Sequence, residues 1–321
     1  MKQNILILTV VVLAAIALFP YLAISSEADI SDRELDQPIE IGTVRWSKDF
    51  DETLLKSGDL KKPVFALFQE VPGCSGCKTF GKVVLSEPLI VEAIETHFLP
   101  VVIYNNRGGK DAELLRRFSE PSWNYQVIRF FDEKAKDIIP RKDKVWSING
   151  VATRMVEALE VSGSDAPGYL QGLSLDYDSE NVGQVLFSQY CFWSGERKLG
   201  ALDGVVGTQA GFYRGHEVPR VWYLKDKISV ENLVDEAVRL DTADIVYVPK
   251  AERGKFKIKS EDFNRSEYRT APNSDQKKQL QGTAFSKLEL NNFQQTKVNA
   301  FARSSRSKAL KYLSPRQIER L

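Results

Sequence analysis

The stretch Pro63-Val-Phe-Ala-Leu-Phe68-Gln-Glu-Val71-Pro-Gly-Cys74-Ser-Gly-Cys77-Lys-Thr-Phe80 decides how the first half of the chain is read. Its opening is a continuous apolar run behind a proline, the pattern of a strand buried on both faces. The run leads into two cysteines three residues apart, at what is then a strand-to-helix junction. A thiol at a helix N-terminus meets unpaired N–H groups that stabilise its thiolate, and a second thiol one turn later lies on the same face. Such a pair suits thiol exchange, with Cys74 attacking and Cys77 resolving. A structural disulfide is the other reading. Zinc is a third, but it needs four ligands, there is no second Cys-x-x-Cys, and the only histidines are His97 and His216. No metal and no cofactor are expected.

Outward from this stretch, Trp46–Phe50 leads into an amphipathic turn at Leu54–Leu60. A helix-like segment, Val83–His97, follows the cysteines, then a strand at Phe98–Tyr104, a helix at Ala112–Ser119 and a strand at Gln126–Phe131. Strands alternating with helices predict an α/β layer with a largely parallel sheet. On the Cys74-Ser-Gly-Cys77-Lys78 motif and this element order, about residues 43–160 resemble the thioredoxin superfamily. The Val-Pro-Gly lead-in is similar to a bacterial thioredoxin-like group that often carries selenocysteine at the first redox position. The resemblance implies a thioredoxin-like α/β domain with Cys74 and Cys77 as its redox pair. It also implies a cis-proline just before the strand facing the dithiol, where the only candidate here is Pro121, several residues early.

The chain has 321 residues, 43% apolar and 27% charged, which excludes disordered and collagenous classes and allows about two domains. Net charge is +1, with no bulk argument for nucleic acid. The charge is uneven, however: Lys250–Leu321 carries 17 Lys+Arg against 7 Asp+Glu. At the other end, Lys2 precedes an apolar run from Ile5 through Ile24, followed by Glu27, Asp29 and Asp32. This pattern predicts a signal peptide or membrane anchor over 1–25, with the bulk of the chain outside the cytoplasm: periplasmic, secreted or held at the inner membrane. Residues 26–42 read as a tether.

Beyond residue 160, the Gly-, Ser- and Asp-rich segment 161–181 reads as a linker. Then come a strand at Val182–Ser188, a helix at Phe192–Leu202, strands at Val205–Phe212 and Val218–Leu224, a helix at Val230–Leu240 and a strand at Ile245–Val248. The order β-α-β-β-α-β is the ferredoxin-like split unit, an α+β domain over 182–272. Residues 273–321 read as a basic, polar, helical tail.

Within this unit Cys191 falls at a strand end and a helix start. Tyr190-Cys191-Phe192-Trp193-Ser194-Gly195-Glu196, the downstream Arg214-Gly215-His216-Glu217 and Glu267-Tyr268-Arg269-Thr270 resemble peptide methionine sulfoxide reductase A, over about residues 184–272. Tyr190 and Ser194 stand where that family has glycines, and the loop after Gly211-Phe212 is shorter than usual. The resemblance implies Cys191 as nucleophile, Glu217 as acid and Tyr268 as a donor to the sulfoxide oxygen. Tyr213 is a substitute donor, and Asp262 stands loosely for a family aspartate. The residue chemistry agrees: sulfoxide reduction needs a thiolate, an acid and an apolar wall for the S-methyl group, and Phe192 and Trp193 supply the wall. An inert core cysteine beside packing aromatics is the competing reading. His216 and His97 are expected to have no catalytic role.

Three cysteines then divide into one catalytic sulfur and one resident reductant pair. Attack on a sulfoxide leaves Cys191 as a sulfenic acid, which a thiol must reduce. The expected partners are oxidised methionine in proteins or peptides and an external thiol donor, either a membrane thiol relay or a thioredoxin-like protein. The alternative is an extracytoplasmic thiol–disulfide oxidoreductase whose second domain binds partners without catalysis.

Overall fold

The computed structural model describes residues 36–123 and 126–321. The expected anchor over 1–25 and most of the tether lie outside the described residues. No helix among the described residues is long and apolar enough to cross a membrane.

The chain begins its fold earlier than expected. A 3-10 turn at Ile39–Ile41 buries Ile41 and Glu40, and Val44 joins the same core, so the end of the supposed tether is structural. Helix α1 (Phe50–Leu60) starts at Asp49, whose carboxylate accepts the Glu52 N–H, and leads into the fully buried strand β1 (Val64–Gln69). Then follow α2 (Ser75–Val83), α3 (Pro88–His97), β2 (Leu99–Tyr104), α4 (Lys110–Arg117), β3 (Val127–Phe131) and α5 (Ile148–Val161). The sheet order is β2-β1-β3, with β2 parallel and β3 antiparallel to the central strand. The single helix expected over Val83–His97 begins only at Pro88, where Glu87 caps it and proline takes the first turn.

The expected linker holds α6 (Gly168–Leu173). Tyr169 and Leu170 are buried in the first core, and the Tyr169 hydroxyl lies 3.0 Å from His97 Nε2. That contact and burial account for His97, whose pKa the desolvation lowers.

The second half comprises β4 (Val182–Ser188), α7 (Phe192–Gly200), β5 (Val205–Tyr213), β6 (His216–Leu224), α8 (Val230–Arg239), β7 (Ile245–Val248), β8 (Lys259–Asp262) and β9 (Arg269–Thr270). Its sheet runs β8-β7-β4-β6-β5-β9. The inner four strands are antiparallel in the order of a split βαβ unit. β8 and β9 extend both edges. Val185, Phe187, Val221 and Tyr223 pack beneath α7 and α8, whereas Leu186, Tyr213, Val218 and Tyr247 form a cluster on the opposite face.

The basic C-terminal segment is no loose tail. Helices α9 (Asn292–Phe301), α10 (Arg306–Leu310) and α11 (Pro315–Glu319) bury Phe285, Val298, Ala309 and Leu313 among themselves. α9 lies against α7, and its Phe293 ring fills the space a side chain at Gly172 of α6 would need. Arg316 bonds Glu92 and Glu95 of α3. The segment therefore ties both sheets into one unit, Gln37–Leu321. Part of its excess positive charge is internal: Lys277 pairs with fully buried Glu196 at 2.6 Å and also donates to Thr208.

Candidate functional sites: an asymmetric dithiol and a lone helix-capping cysteine

Cys74 is the N-cap of α2, extended in backbone and exposed, while Cys77 one turn later is fully buried. Their sulfurs lie 3.5 Å apart. The Cys77 backbone N–H, and after it that of Gly76, stabilise charge on Cys74 and lower its thiol pKa below the ordinary 9.0. Burial, together with the hydrogen bond to Cys74, pushes the Cys77 thiol up to about 11. Two adjacent thiols thus have opposite tendencies, one toward thiolate and the other toward protonated thiol.

The local sequence explains this fit. A Cβ at Gly73 would lie 2.6 Å from Cys77 Cβ and 2.5 Å from the Glu70 carbonyl, so only glycine admits the turn. The Gly73 N–H donates to the carboxylate of buried Glu40, and the Glu40 carbonyl accepts from Gln69, the last residue of β1. Glu40 is a site residue that the sequence reading placed in a tether. The cis peptide bond is Val71–Pro72, ahead of the dithiol. The position before β3 belongs instead to Gln126, whose amide Nε2, buried without a hydrogen-bond partner, is 3.1 Å from where a Gly76 Cβ would stand and whose side chain acts to lower the Cys77 pKa against the effect of burial. Pro121 lies earlier, its carbonyl held by Asn105. Within β3, Arg129 donates to the Phe118 carbonyl, Glu120 and Asp137, while Arg141 grips Glu120 at 2.6 Å.

Cys191 is likewise an N-cap, of α7, with intermediate exposure. The Glu217 carboxylate accepts the Phe192 N–H at 3.0 Å, and its carbonyl accepts the Gln189 N–H. Phe192 packs edge-on against Trp193 and Phe212, with Ala210 and Ala271 in the same cluster. Gly195 is needed here, because a Cβ would run into the Gln189 amide and the Pro219 ring. The structure therefore brings together Cys191, Glu217, Phe192 and Trp193.

It does not bring the two tyrosines to them. Phe212 is the register partner of Glu217, so the adjacent Tyr213 points through the opposite face of the sheet. There the Tyr213 hydroxyl is fully engaged, donating to the Asp262 carbonyl and accepting the Asn264 N–H. Tyr268 packs over Gly211 in the same opposite-face cluster, its hydroxyl 3.3 Å from the Gln209 and Ala210 carbonyls, and burial raises its pKa. Both expected donors are thus framework residues of the far face. Asp262 takes part only through its backbone carbonyl. His216 is exposed on β6. Two buried polar groups within two residues of Cys191 in the chain have no hydrogen-bond partner: the amide Nε2 of Gln189, a residue the sequence reading does not single out, and the indole Nε1 of Trp193, expected only as apolar wall.

No protein-family profile and no curated protein matches the chain. Solved structures similar to it include a DsbH oxidoreductase, 17% identical, covering 41% of this chain and 96% of that one with a TM-score of 0.32. Another is the solution structure of a thioredoxin from Thermus thermophilus, 22% identical, covering 37% of this chain and 86% of that one with a TM-score of 0.29. The first half of the chain is thioredoxin-like in its own architecture: a strand, a Cys-x-x-Cys helix, a parallel neighbour and an antiparallel strand across from the dithiol.

Proposed function

We propose that this chain is a thiol–disulfide oxidoreductase working through Cys74 and Cys77. The observation that carries this reading is the asymmetry of the pair, an exposed thiol with a lowered pKa 3.5 Å from a buried one raised to about 11. The Cys74 thiolate attacks a substrate disulfide and expels one thiolate. Cys77 then attacks the mixed disulfide, releasing the second thiol and leaving Cys74–Cys77 oxidised. Reduction of a small-molecule disulfide by the prereduced protein tests it: Cys74→Ser abolishes the reaction, and Cys77→Ser stops it at a mixed disulfide. Equal rates in wild type and Cys74→Ser refute it.

Cys191 at the N-cap of α7, with the Glu217 carboxylate on the N–H of the next residue, supports a second activity in the same chain, reduction of methionine sulfoxide, whose S epimer the sequence resemblance implies. Cys191 attacks the sulfoxide sulfur, Glu217 protonates the sulfoxide oxygen, and that hydroxyl passes to the Cys191 sulfur. Methionine leaves and Cys191 becomes a sulfenic acid. Cys74 condenses with it, losing water, and Cys77 resolves that disulfide, so an external dithiol balances the cycle. Gln189 Nε2 and Trp193 Nε1 replace the tyrosines as candidate donors to the sulfoxide oxygen. Turnover of methionine sulfoxide with dithiothreitol, in wild type and Cys191→Ser, tests this step alone. Non-reducing peptide mapping of Cys77→Ser during turnover tests the Cys74–Cys191 link. The basic start and apolar run of the N-terminal segment support work outside the cytoplasm, which a reporter fused after residue 40 checks.

A further inference from the structure

The face of the second sheet opposite Cys191 carries a cavity of about 630 Å³, between β4, β5, β6, the 177–178 segment and the chain leading into α9. Strand parity sets its Arg220 wall apart from the thiol site, while Thr208 and Lys277, both bonded to Glu196 of α7, line it from the other side of β5. Pro219 and Val221 of β6 face α7 and α8, while Arg220 and Trp222 face the other way.

Arg220 is the unusual feature of this cavity. It is only 7% exposed and makes no ion pair among the described residues, and its Nε–H has no acceptor. Nη2 donates to the Gln184 amide oxygen, and the guanidinium sits 4.6 Å from the Trp222 ring centre, 5.4 Å from Tyr268 and 5.7 Å from Phe263. Ring faces attract a cation but leave its N–H edge unsatisfied. A second unpaired cation, Arg265, lines the same cavity, and the repulsion between the two adds to burial in lowering the Arg220 pKa. The only acidic residue on the wall is exposed Asp178; the rest of the lining is rich in amides, among them Gln209 and Asn273.

We infer that this cavity binds a small organic carboxylate with a hydrogen-bonding body, its carboxylate on the Arg220 guanidinium and near Arg265. A carboxylate supplies the acceptor and negative charge that Arg220 lacks, in the planar geometry a guanidinium matches. The volume suits a ligand of sugar-acid or N-acylated amino-acid size, and the amide walls suit hydroxyl or peptide groups rather than an aliphatic chain. This inference does not depend on either thiol site.

The test is calorimetric titration of the full chain with D-glucuronate, N-acetylglutamate and glutarate, with D-glucose and inorganic phosphate as controls. At least one carboxylate is expected to bind with Kd below about 1 mM, tenfold tighter than glucose or phosphate. Arg220→Lys, which keeps the charge but removes the Nε–H edge, is expected to weaken it at least tenfold. Arg265→Gln, a change at an exposed position that leaves the fold intact, is expected to weaken it about threefold. Absence of carboxylate binding, equal binding of glucose or phosphate, or unchanged affinity in both variants overturns the assignment.

Discussion

The asymmetry of the dithiol makes a quantitative demand on its chemistry. With the Cys77 pKa near 11, about one thiol in 10⁴ is ionised at pH 7, against about one in 10² for an ordinary thiol at 9.0. Cys74 lies below 9.0, so its thiolate population exceeds that of Cys77 by more than about 100-fold. Intrinsic nucleophilicity works the other way, because a more basic thiolate attacks faster. With a Brønsted slope of about 0.4–0.5, two pH units return a factor of roughly 6–10 to Cys77. The net preference for Cys74 is then more than about tenfold from ionisation alone, and complete burial of Cys77 widens it. The assay is alkylation of the reduced protein with limiting iodoacetamide at pH 7, the label located by peptide mass analysis. Label should appear at Cys74 first, and a pH series on the Cys77→Ser variant should give a midpoint below 9. Comparable labelling of the two thiols would refute the argument, since it needs either an accessible Cys77 or two thiols of like acidity.

Three other outcomes follow from single side chains. Glu217→Gln keeps the acceptor for the Phe192 N–H but removes the acid, so methionine sulfoxide turnover should fall about 10²–10⁴-fold at unchanged stability, whereas Glu217→Ala should also cost about 0.5–2 kcal/mol in urea unfolding. Lys277→Ala strands the buried Glu196 carboxylate and should lower stability by about 3–5 kcal/mol, with Lys277→Met no better because the charge stays unpaired. Lys297, buried with Nζ on the Gly200 and Leu202 carbonyls, is held down to about 8, so the unfolded chain binds more protons between pH 8 and about 10.4; its contribution to stability rises with pH across that window by up to about 3 kcal/mol, and the wild-type minus Lys297→Met difference in unfolding free energy should show that slope.

Much of the architecture was legible because long periodic segments announced it. Val205–Phe212, Val218–Leu224 and Val230–Leu240 carry their strand and helix periods openly, and each is found within a residue or two of the expected bounds. What was not legible depends on partners distant in sequence. Gly168–Leu173 is too short to show helical period, and its burial comes from the first core and from α9 more than 100 residues later. Glu40 looked like tether because its role needs Gly73 beside it. At the Cys191 site, the nucleophile, the carboxylate and the aromatic wall were readable from residue types, but the face of each strand was not. One register fact, Phe212 opposite Glu217, sends Tyr213 to the far side.

That parity bears on how the two thiol sites work together. A flexible segment over 161–181 would have let Cys74 search for Cys191 by diffusion, at an effective concentration set by chain length. Instead α6 is locked into the first core, Phe293 is wedged against it, and Arg316 fastens the C-terminal helices to α3. Direct exchange between the sulfurs requires their Cα atoms to come within about 4.4–6.8 Å, and in a locked unit that proximity is either built in or absent. Linker length is then irrelevant to the exchange rate. What matters is whether the contacts of α9 and α11 hold during the cycle. Gln294, fully buried between the Tyr312 carbonyl and Gln317, is one such contact, and breaking it should alter transfer between the domains while leaving each thiol's own chemistry intact. In the proposed cycle the C-terminal segment would act on transfer between the two thiol sites through geometry alone, by holding both sheets in one unit.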